Sequence, residues 1–410
     1  MAVVKPFLCV RPKQEFVSKV AALPYDVYNR QEACDEVKKE PLSFLKIDRA
    51  ETQFDDSVDT YDARVYLKAK ELLEGMIADG TFVLDEESAY FIYELTMNSR
   101  IQTGIVACSS IDDYNNNVIK KHENTRADKE IDRITHVDTC NAQTGPIFLA
   151  YRDNIVIDQE VEKARKNDPI YNFTSDDNIK HTVWKISAID SIDKIQKAFA
   201  TINEIYIADG HHRAASAVKV GMQRREANPA FTGQEEYNFF LSVLFPDEQL
   251  MIMPYNRVVK DLNGDSKEVF LKKVSKNFTI EKKTEKVSPS RKATFGMYFD
   301  HEWYLLTASK EIISDDPVKG LDVAILQDNL LAPILGINDP KTDKRIDFVG
   351  GIRGLEELER RTENDMKIAF SMYPTSIGEL FAVADADKLM PPKSTWFEPK
   401  LRSGIFIHRI

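Results

Sequence analysis

The chain has 410 residues, of which 43% are hydrophobic, and a formal net charge of -11 at pH 7. This length favours two domains, and the acidic charge argues against non-specific nucleic-acid binding, which requires a basic surface. Mean hydropathy is -0.37, and no apolar run reaches the roughly 18 residues that a membrane span needs. The opening MAVVKPFLCVRP is too short and too polar for a secretion signal, so we expect a soluble, cytoplasmic protein.

The four cysteines are Cys9, Cys34, Cys108 and Cys140. None belongs to a CxxC pair, and their spacings fit no zinc site. We expect buried, reduced thiols, with a role in thiol chemistry as the alternative.

Apolar spacing and turn-forming residues divide the first half of the chain into strands and helices. Residues 1–50 are typical of short strands and turns, and the helical spacing over 59–80 ends at Gly80. Residues 88–111 predict two strands joined by a polar turn at 98–100, and 117–140 predict strand, loop and helix. Strands at 145–154, 181–189 and 202–210, with a short helix at 191–200, then precede a helix at 211–225.

The second half of the chain mixes strands and helices in the same way. Residues 236–259 predict strand, turn and strand, and 264–315 predict helix and strands. Helices are expected at 316–337 and 352–365, and the proline-rich segment 390–410 is expected to form an ordered arm. The domain boundary is expected near 245–265, where the pattern of strands and helices gives the least support for a continuous domain.

The central motif is IYIADGHHRAASA, residues 205–217, where an apolar strand turns into a helix. Gly210 permits a tight turn and the close approach of a ligand, and the first helical turn offers N–H groups and a positive dipole end to phosphate. Arg213 adds a fork of donors suited to phosphate oxygens. Asp209 is placed to bind a divalent cation or to activate a hydroxyl. These residues predict a nucleotide phosphate site, although a strand–Asp-Gly–helix junction also occurs for geometry alone.

His211 and His212 follow Gly210 directly. Adjacent histidines are metal ligands in some proteins and ordinary polar residues at a helix end in others.

A second motif, KKHENT, covers residues 120–125 at another strand-to-helix passage. Thr125 is placed to cap the helix that follows. Glu123, beside His122 and two lysines, is a carboxylate in a basic setting. The alternative is a surface loop with ordinary charges.

Three further motifs flank these two. In LPYDV, either Asp26 faces the site or the motif is only a turn with a buried Tyr25. In PYNRVV, Arg257 is either a ligand contact or a structural cation. In MPPKSTWFEPK the candidates for wrapping an anion are Lys393, Ser394, Thr395 and Lys400. A tail packed for stability by its aromatic residues is the alternative there. No glycine-rich loop precedes Lys393, so this is not a Walker motif.

ADGHHRAASA resembles the signature of the ParB/sulfiredoxin-like superfamily, and its Asp-Gly-His-His-Arg version is most similar to the free serine kinases. The whole chain resembles an uncharacterised bacterial and archaeal family, domain-of-unknown-function family 1015. That resemblance rests on ALPYDVYN, KKHENT, IADGHHRAASA, MPYNRVV and MPPKSTWFEPKLRSG. Free serine kinases form O-phosphoserine from L-serine with ATP or ADP and Mg²⁺, so the resemblance implies a small-molecule kinase.

The same resemblance implies a role for each site residue. Glu123 is the candidate general base, Asp209 holds magnesium, and 210–213 hold the nucleotide phosphates, with His211 also in a catalytic role. His122, Thr125, Asp26 and Arg257 are candidate substrate contacts, and the lysine arm adds phosphate contacts. Glu123 lies 86 residues before Asp209, farther than a compact kinase core needs, which indicates an insertion.

Two other classes of function remain. One is a ParB-like nucleotide-binding or hydrolysing switch without a small acceptor, against which the acidic charge weighs. The other is a sulfiredoxin-like reductase, which needs a cysteine where His211 and His212 stand.

We therefore expect a mixed α/β (α+β) fold. A ParB/sulfiredoxin-like core with insertions is predicted over 1–245, and an α/β domain over 246–410 returns its lysine arm to the pocket. The expected partners are a nucleotide and a small hydroxylated metabolite such as serine. Neither a membrane nor a nucleic acid is expected as a partner, and a homo-oligomer is compatible with the sequence.

Overall fold

The computed structural model describes residues 1–125 and 127–410, which divide into two compact units. The first unit comprises Met1–Leu250 and Pro399–Ile410, and the second unit comprises Met251–Glu398. Each unit contains both helices and strands, so the fold is mixed α/β, as the sequence predicts. Among the described residues, no helix is long and apolar enough to cross a membrane.

The elements of the first 250 residues alternate between strands and helices. The strands are β1 (Val4–Lys5), β2 (Cys9–Pro12), β3 (Phe82–Leu84), β4 (Tyr90–Met97), β5 (Arg100–Ser110), β6 (Ile119–Lys120), β7 (Ala142–Gln143), β8 (Ile147–Tyr151), β9 (Tyr171–Thr174), β10 (Lys180–Ile186), β11 (Ile205–Asp209) and β12 (Phe239–Pro246). The helices are α1 (Val17–Val20), α2 (Arg30–Lys39), α3 (Leu45–Asp48), α4 (Ala63–Ala78), α5 (Ile111–Asn115), α6 (Ala127–Cys140), α7 (Ile155–Ala164), α8 (Ile189–Phe199) and α9 (His211–Ala227).

The main sheet of the first unit runs in the order β6-β11-β8-β12-β5-β4-β10-β9, with β1 added along β5. Most neighbours are antiparallel, but β11 pairs with β6 in parallel, and β12 pairs with β8 in parallel. The hairpin β4–β5 turns at Asn98 and Ser99, which have φ of 49° and 67°. This confirms the predicted turn, because Asn is one of the few side chains that tolerate the left-handed region.

Helix α9 packs its small residues onto this sheet. Ala214, Ala217 and Val218 belong to one buried cluster with Ile205 and Ile207 of β11. Alanine side chains let the helix approach the sheet closely, which fixes the start of α9 against the end of β11. The alanine-rich pattern of the motif is therefore explained by packing.

The second unit is built on an antiparallel sheet in the order β15-β17-β16-β19-β14-β18, beside a short ladder of β13 and β20. Its strands are β13 (Ile252–Met253), β14 (Tyr255–Val259), β15 (Phe278–Lys283), β16 (Thr294–Phe299), β17 (Glu302–Ala308), β18 (Ile346–Gly350), β19 (Ile368–Met372) and β20 (Trp396–Phe397). Its helices are α10 (Lys267–Val274), α11 (Asp322–Leu326), α12 (Glu356–Asn364) and α13 (Ile377–Asp385).

The helix predicted over 316–337 is much shorter than expected. Helix α11 begins only after Pro317 and Gly320, and it passes into a π-helical turn, Gln327–Leu331. Pro333 lacks the N–H that an α-helix would need at that position. The apolar spacing of a helix is present, but the breakers limit its regular part.

The last strand of the chain, β21 (Ile407–Arg409), belongs to the first unit. It completes a small sheet in the order β3-β2-β21-β7, where Cys9 faces His408 and Arg409 faces Ala142. The sequence pattern predicts instead that residues 399–410 belong to the second domain. The structure differs because the backbone of β21 finds its hydrogen-bond partners on β2 and β7.

Candidate functional site

The two central motifs meet because β6 and β11 are adjacent and parallel. Ile205 lies opposite Ile119, and Tyr206 lies opposite Lys120. The carboxyl ends of parallel neighbours lie at the same edge of a sheet, where ligands bind in many α/β proteins. KKHENT and ADGHHR are thus brought together, although seven elements of the described chain, from α6 to α8, lie between them.

Gly210 makes the turn from β11 into α9. Its φ is 93°, in the left-handed region that glycine adopts without strain. A Cβ at this position would lie 3.0 Å from Nε and Nη2 of Arg213. The first turn of α9 has no side-chain cap, so its N–H groups and positive dipole end are available to an anion.

Asp209 lies between two cations. Lys400 Nζ is 3.3 Å and Arg213 Nη2 is 3.7 Å from Asp209 Oδ2. Burial opposes ionisation of this carboxyl, but the charges of Lys400 and Arg213 outweigh it and hold the pKa of Asp209 well below its usual range. Asp209 is therefore an ionised carboxylate whose charge these cations neutralise.

The guanidinium of Arg213 bends back over the junction. Its Nη1 donates to the carbonyl of Pro146 at 2.5 Å, and its atoms lie 3.0–3.1 Å from the position that a Cβ of Gly210 would take. Its side chain is 15% exposed. This places a rigid fork of donors beside the first turn of α9, where phosphate oxygens would lie.

His211 connects the two motifs. The backbone N–H of His122 donates to His211 Nε2 at 3.5 Å, and His211 Nδ1 lies 4.0 Å from Glu123 Oε2. Burial lowers the pKa of His211 well below its usual value, so the ring is neutral. Because Nε2 accepts a hydrogen bond, the ring proton is assigned to Nδ1, which faces Glu123. His211 is thus a neutral ring whose N–H faces Glu123 at a distance of 4.0 Å.

His122 lies behind this pair. Its side chain is buried, and its ring meets that of His211 edge-on, with centroids 4.4 Å apart. Burial lowers the pKa of His122 to about 4, and its Nδ1 has no hydrogen-bond partner among the described residues. The structure therefore leaves one buried ring nitrogen at the junction without a hydrogen-bond partner among the described residues.

A small cavity of about 30 Å³ lies beside Arg213. Its lining includes the charged and polar side chains of Tyr25, Asp48, Arg133, His136, Thr144 and Ser403. The Arg133 guanidinium lies 4.1 Å from the centroid of the Tyr25 ring, and Thr144 donates to Asp48 at 2.8 Å. A void of this size holds about two water molecules, which is also the space that the two oxygens of a carboxylate occupy.

Sequence reasoning missed Arg133, His136 and Asp48. Arg133 and His136 are three residues apart on α6, so the helical period places them on one face. That spacing was a usable signal, but only the fold shows that this polar face is buried and turned towards Arg213.

Two predicted contacts lie at the edge of this region. Thr125 donates its hydroxyl to Glu130, which Lys219 of α9 also contacts, so it helps to join α6 to α9. Asp26 is exposed in a short 3₁₀ turn over Tyr25–Val27, while its neighbour Tyr25 lines the cavity. The roles of Thr125 and Asp26 stay predictions.

The other predicted residues belong to the second unit. Arg257 Nη2 donates to the carbonyl of Lys393 at 2.9 Å, and the buried Ser394 donates to the carbonyl of Pro391 at 2.6 Å. Thr395 follows them in a partly buried position. Their predicted contacts with substrate and phosphate stay predictions, as does that of His212, whose carbonyl accepts from Ser216.

Asp209 is the predicted magnesium ligand. Among the residues that the structure describes, no three His, Cys, Asp or Glu side chains lie close enough to hold a metal ion. Mg²⁺ in nucleotide sites needs only one or two carboxylates, because water and phosphate oxygens supply the rest. Asp209 is ionised and fits as one such carboxylate, with Mg²⁺ competing there with Lys400 and Arg213, which contact its Oδ2.

A family model described as a protein of unknown function, DUF1015, matches residues 4–324 of the chain. No curated protein sequence matches it significantly.

Several solved structures share parts of the architecture. A free serine kinase variant in complex with AMP is 12% identical, with a TM-score of 0.35 over 73% of this chain and 92% of that one. A conserved hypothetical protein from Pyrococcus furiosus is 14% identical, with a TM-score of 0.34 over 74% and 94% of the two chains. SbnI with a C-terminal truncation, from Staphylococcus aureus, is 10% identical, with a TM-score of 0.38 over 72% and 85%. Scores this low carry no argument about function.

Proposed function

The chain belongs to the DUF1015 family, and from the side chains at its β6–β11 edge we propose that it is a phosphotransferase. It transfers a phosphoryl group from ATP or ADP to the hydroxyl of a small metabolite, with free L-serine as the candidate acceptor. One observation carries the proposal: the Glu123 carboxylate, 4.0 Å from the neutral His211 ring, lies at the same sheet edge as Arg213 and the start of α9.

The phosphate side of the site is the start of α9. The backbone N–H groups of 210–213 and the guanidinium of Arg213 bind the phosphates of the donor. Asp209, kept ionised by Lys400 and Arg213, would hold Mg²⁺, with phosphate oxygens as further ligands. Bound Mg²⁺ supplies charge neutralisation, which is most of what phosphoryl transfer asks of its surroundings.

The acceptor side is Glu123. Its carboxylate takes the proton of the serine hydroxyl, and the hydroxyl oxygen forms a bond to the terminal phosphorus of the donor. The bond between that phosphorus and the bridging oxygen breaks, and the shortened nucleotide leaves. His211 Nδ1 lies 4.0 Å from the Glu123 carboxylate, and a small shift of Glu123 would bring the two within hydrogen-bond distance.

We assign the charged groups of the acceptor to the cavity beside Arg213. Arg133 and Asp48 give its lining charges of both signs, which complement an α-amino acid that carries a carboxylate and an ammonium group. The cavity itself is only about 30 Å³, so it takes the charged groups of a small acceptor and little more. A small hydroxylated amino acid therefore suits the site better than a large acceptor.

The test is direct. Purified protein is incubated with ATP or ADP, Mg²⁺ and a panel of hydroxylated metabolites, and products are followed by phosphorus NMR. We expect O-phosphoserine to form. A protein that binds nucleotide by calorimetry yet makes no phosphorylated serine at millimolar concentrations contradicts the proposal. Nucleotide hydrolysis that serine does not affect would favour the ParB-like switch instead.

A further inference from the structure

The second unit contains a buried arginine whose contacts are all neutral. Arg257, on β14, is 3% exposed. Its Nη1 donates to the carbonyl of Tyr255, its Nη2 donates to that of Lys393 at 2.9 Å, and its guanidinium lies 5.3 Å from the centroid of the Phe348 ring. Among the described residues, no carboxylate lies within 4.0 Å of it.

A buried charge without a counter-charge is costly, because carbonyl dipoles replace only part of the hydration that the ion loses. Burial accordingly lowers the pKa of Arg257 to about 10. Arg345, in the same unit, shows the usual arrangement: it donates to two carbonyls but also contacts Asp261 and Asp343, at 3.2 and 3.0 Å. Arg257 likewise donates to two carbonyls, but no ion pair with a carboxylate accompanies them among the described residues.

A second cation, Lys393, lies near Tyr255, the residue whose carbonyl Arg257 contacts. Lys393 is exposed, and its Nζ lies 5.5 Å from the centroid of the Tyr255 ring, whose backbone carbonyl accepts from Arg257. The Tyr255 ring also meets the Trp396 ring edge-on, with centroids 5.0 Å apart. Trp396 packs over Gly350, where a Cβ would lie 2.7–2.9 Å from the indole. Both cations therefore lie near Tyr255, Arg257 at its backbone carbonyl and Lys393 at its ring.

We propose that the second unit binds an anionic group, a phosphate or a carboxylate, at Arg257 and Lys393. The ligand supplies the negative charge that Arg257 otherwise lacks, and Lys393 contacts it from the solvent side. The residues of this site all belong to the second unit, and the site does not depend on the proposed phosphotransferase activity. The simpler alternative is that Arg257 only ties the segment around Lys393 to β14.

Calorimetry on the full chain separates the two alternatives. The Arg213→Ala variant is titrated with inorganic phosphate and, in a second experiment, with acetate at constant ionic strength. We expect one remaining anion site, and the preferred titrant identifies the ligand as a phosphate or a carboxylate. Adding Arg257→Gln should weaken that binding by about tenfold or more, the effect of losing a charged hydrogen bond.

Arg345→Gln is the matched control, because it removes an arginine that also donates to two carbonyls of this unit. It should leave anion binding unchanged. If Arg257→Gln does not fold, Lys393→Asn takes its place, since asparagine tolerates the φ of 59° found at that position. Unchanged anion binding in both Arg257→Gln and Lys393→Asn, equal losses in Arg345→Gln, or no anion binding at all overturns the proposal.

Discussion

At the scale of single residues, Arg213 is the clearest test of the phosphate site. Arg213→Ala should weaken nucleotide binding by about 1.5–3 kcal/mol, the usual worth of a hydrogen bond to a charged group. Calorimetric titration with ADP measures the change. Arg225→Ala is the control, because Arg225 lies near the other end of α9 and pairs with Asp112. Equal nucleotide affinity in wild type and Arg213→Ala would remove Arg213 from the site.

Glu123 tests the chemistry rather than the binding. Glu123→Gln keeps the shape of the side chain but cannot accept the proton of the acceptor. Transfer to serine should therefore fall by about 10²–10⁴, while nucleotide affinity should stay the same because the phosphate contacts lie at 209–213. A variant that makes phosphoserine as fast as wild type shows that Glu123 is not the base.

His211 shows how the structure refines a role that the sequence leaves open. The pair His211-His212 is open to a metal-ligand or a polar interpretation from the sequence alone. Burial keeps His211 neutral, and its contacts run to His122 and Glu123. A neutral imidazole offers one donor and one acceptor but no positive charge, so His211 does not neutralise phosphate charge.

At the scale of elements, the turn between β11 and α9 depends on Gly210. Gly210→Ala should lower the free energy of unfolding by about 1–3 kcal/mol, because its φ of 93° is strained for any residue with a Cβ. The new methyl group would also meet the Arg213 guanidinium, so nucleotide affinity should fall as well. Urea denaturation and calorimetry measure the two effects.

Gly75→Ala provides a control of opposite sign. Gly75 lies inside α4 and is exposed, and no atom outside its own helical turn lies within 4 Å of the place that a methyl group would take. Alanine there should stabilise the protein by about 0.5–1 kcal/mol. If both substitutions destabilise equally, the strain at Gly210 is not the cause.

Local patterns in the sequence predict several elements well. The β4–β5 hairpin with its turn at Asn98 and Ser99, the helix α4, and the passage from β11 into α9 all follow from residue spacing and turn-forming residues. These are short-range properties, so a single sequence carries them.

Long-range pairing is not accessible in the same way. The approach of Glu123 to His211 depends on the parallel pairing of β6 with β11, and β6 is only two residues long. Lys400 was expected near the pocket, but its contact with Asp209 depends on residues 399–410 belonging to the first unit. The burial of Asp48 beneath the cavity has no sequence signal at all.

At the scale of the whole molecule, buried histidines make stability depend on pH. Five of the seven histidines are buried with a pKa below the usual value, mainly because burial disfavours the charged ring: His122, His136, His181, His211 and His408. The pKa values of His122 and His181 are lowered to about 4 and about 3. As pH falls below about 6.5, the unfolded chain therefore binds protons that the native protein does not.

We accordingly expect the free energy of unfolding to fall between pH 7 and pH 5, each histidine contributing up to about 1.4 kcal/mol per pH unit. Asp158 and Asp322, whose pKa values are raised to about 6 mainly by burial, oppose part of this loss below pH 6. Urea denaturation at several pH values measures the slope. His181→Gln should flatten it, whereas His301→Gln, at an exposed position, should not. Stability that does not change from pH 7 to pH 5 would contradict this account.

The return of β21 to the first unit has a consequence for how the protein is made. Because residues 251–398 form one contiguous unit inside an interrupted one, a ribosome delivers the whole second unit before it delivers β21. At that stage the second unit is fully synthesised, while the first unit still lacks β21. The second unit can therefore finish folding before the first, although the first unit begins to be synthesised earlier. Lys400 also emerges late, and the junction at Asp209 stays without one of its two cations until then. A nascent chain therefore carries the motifs of the site well before it carries the assembled site.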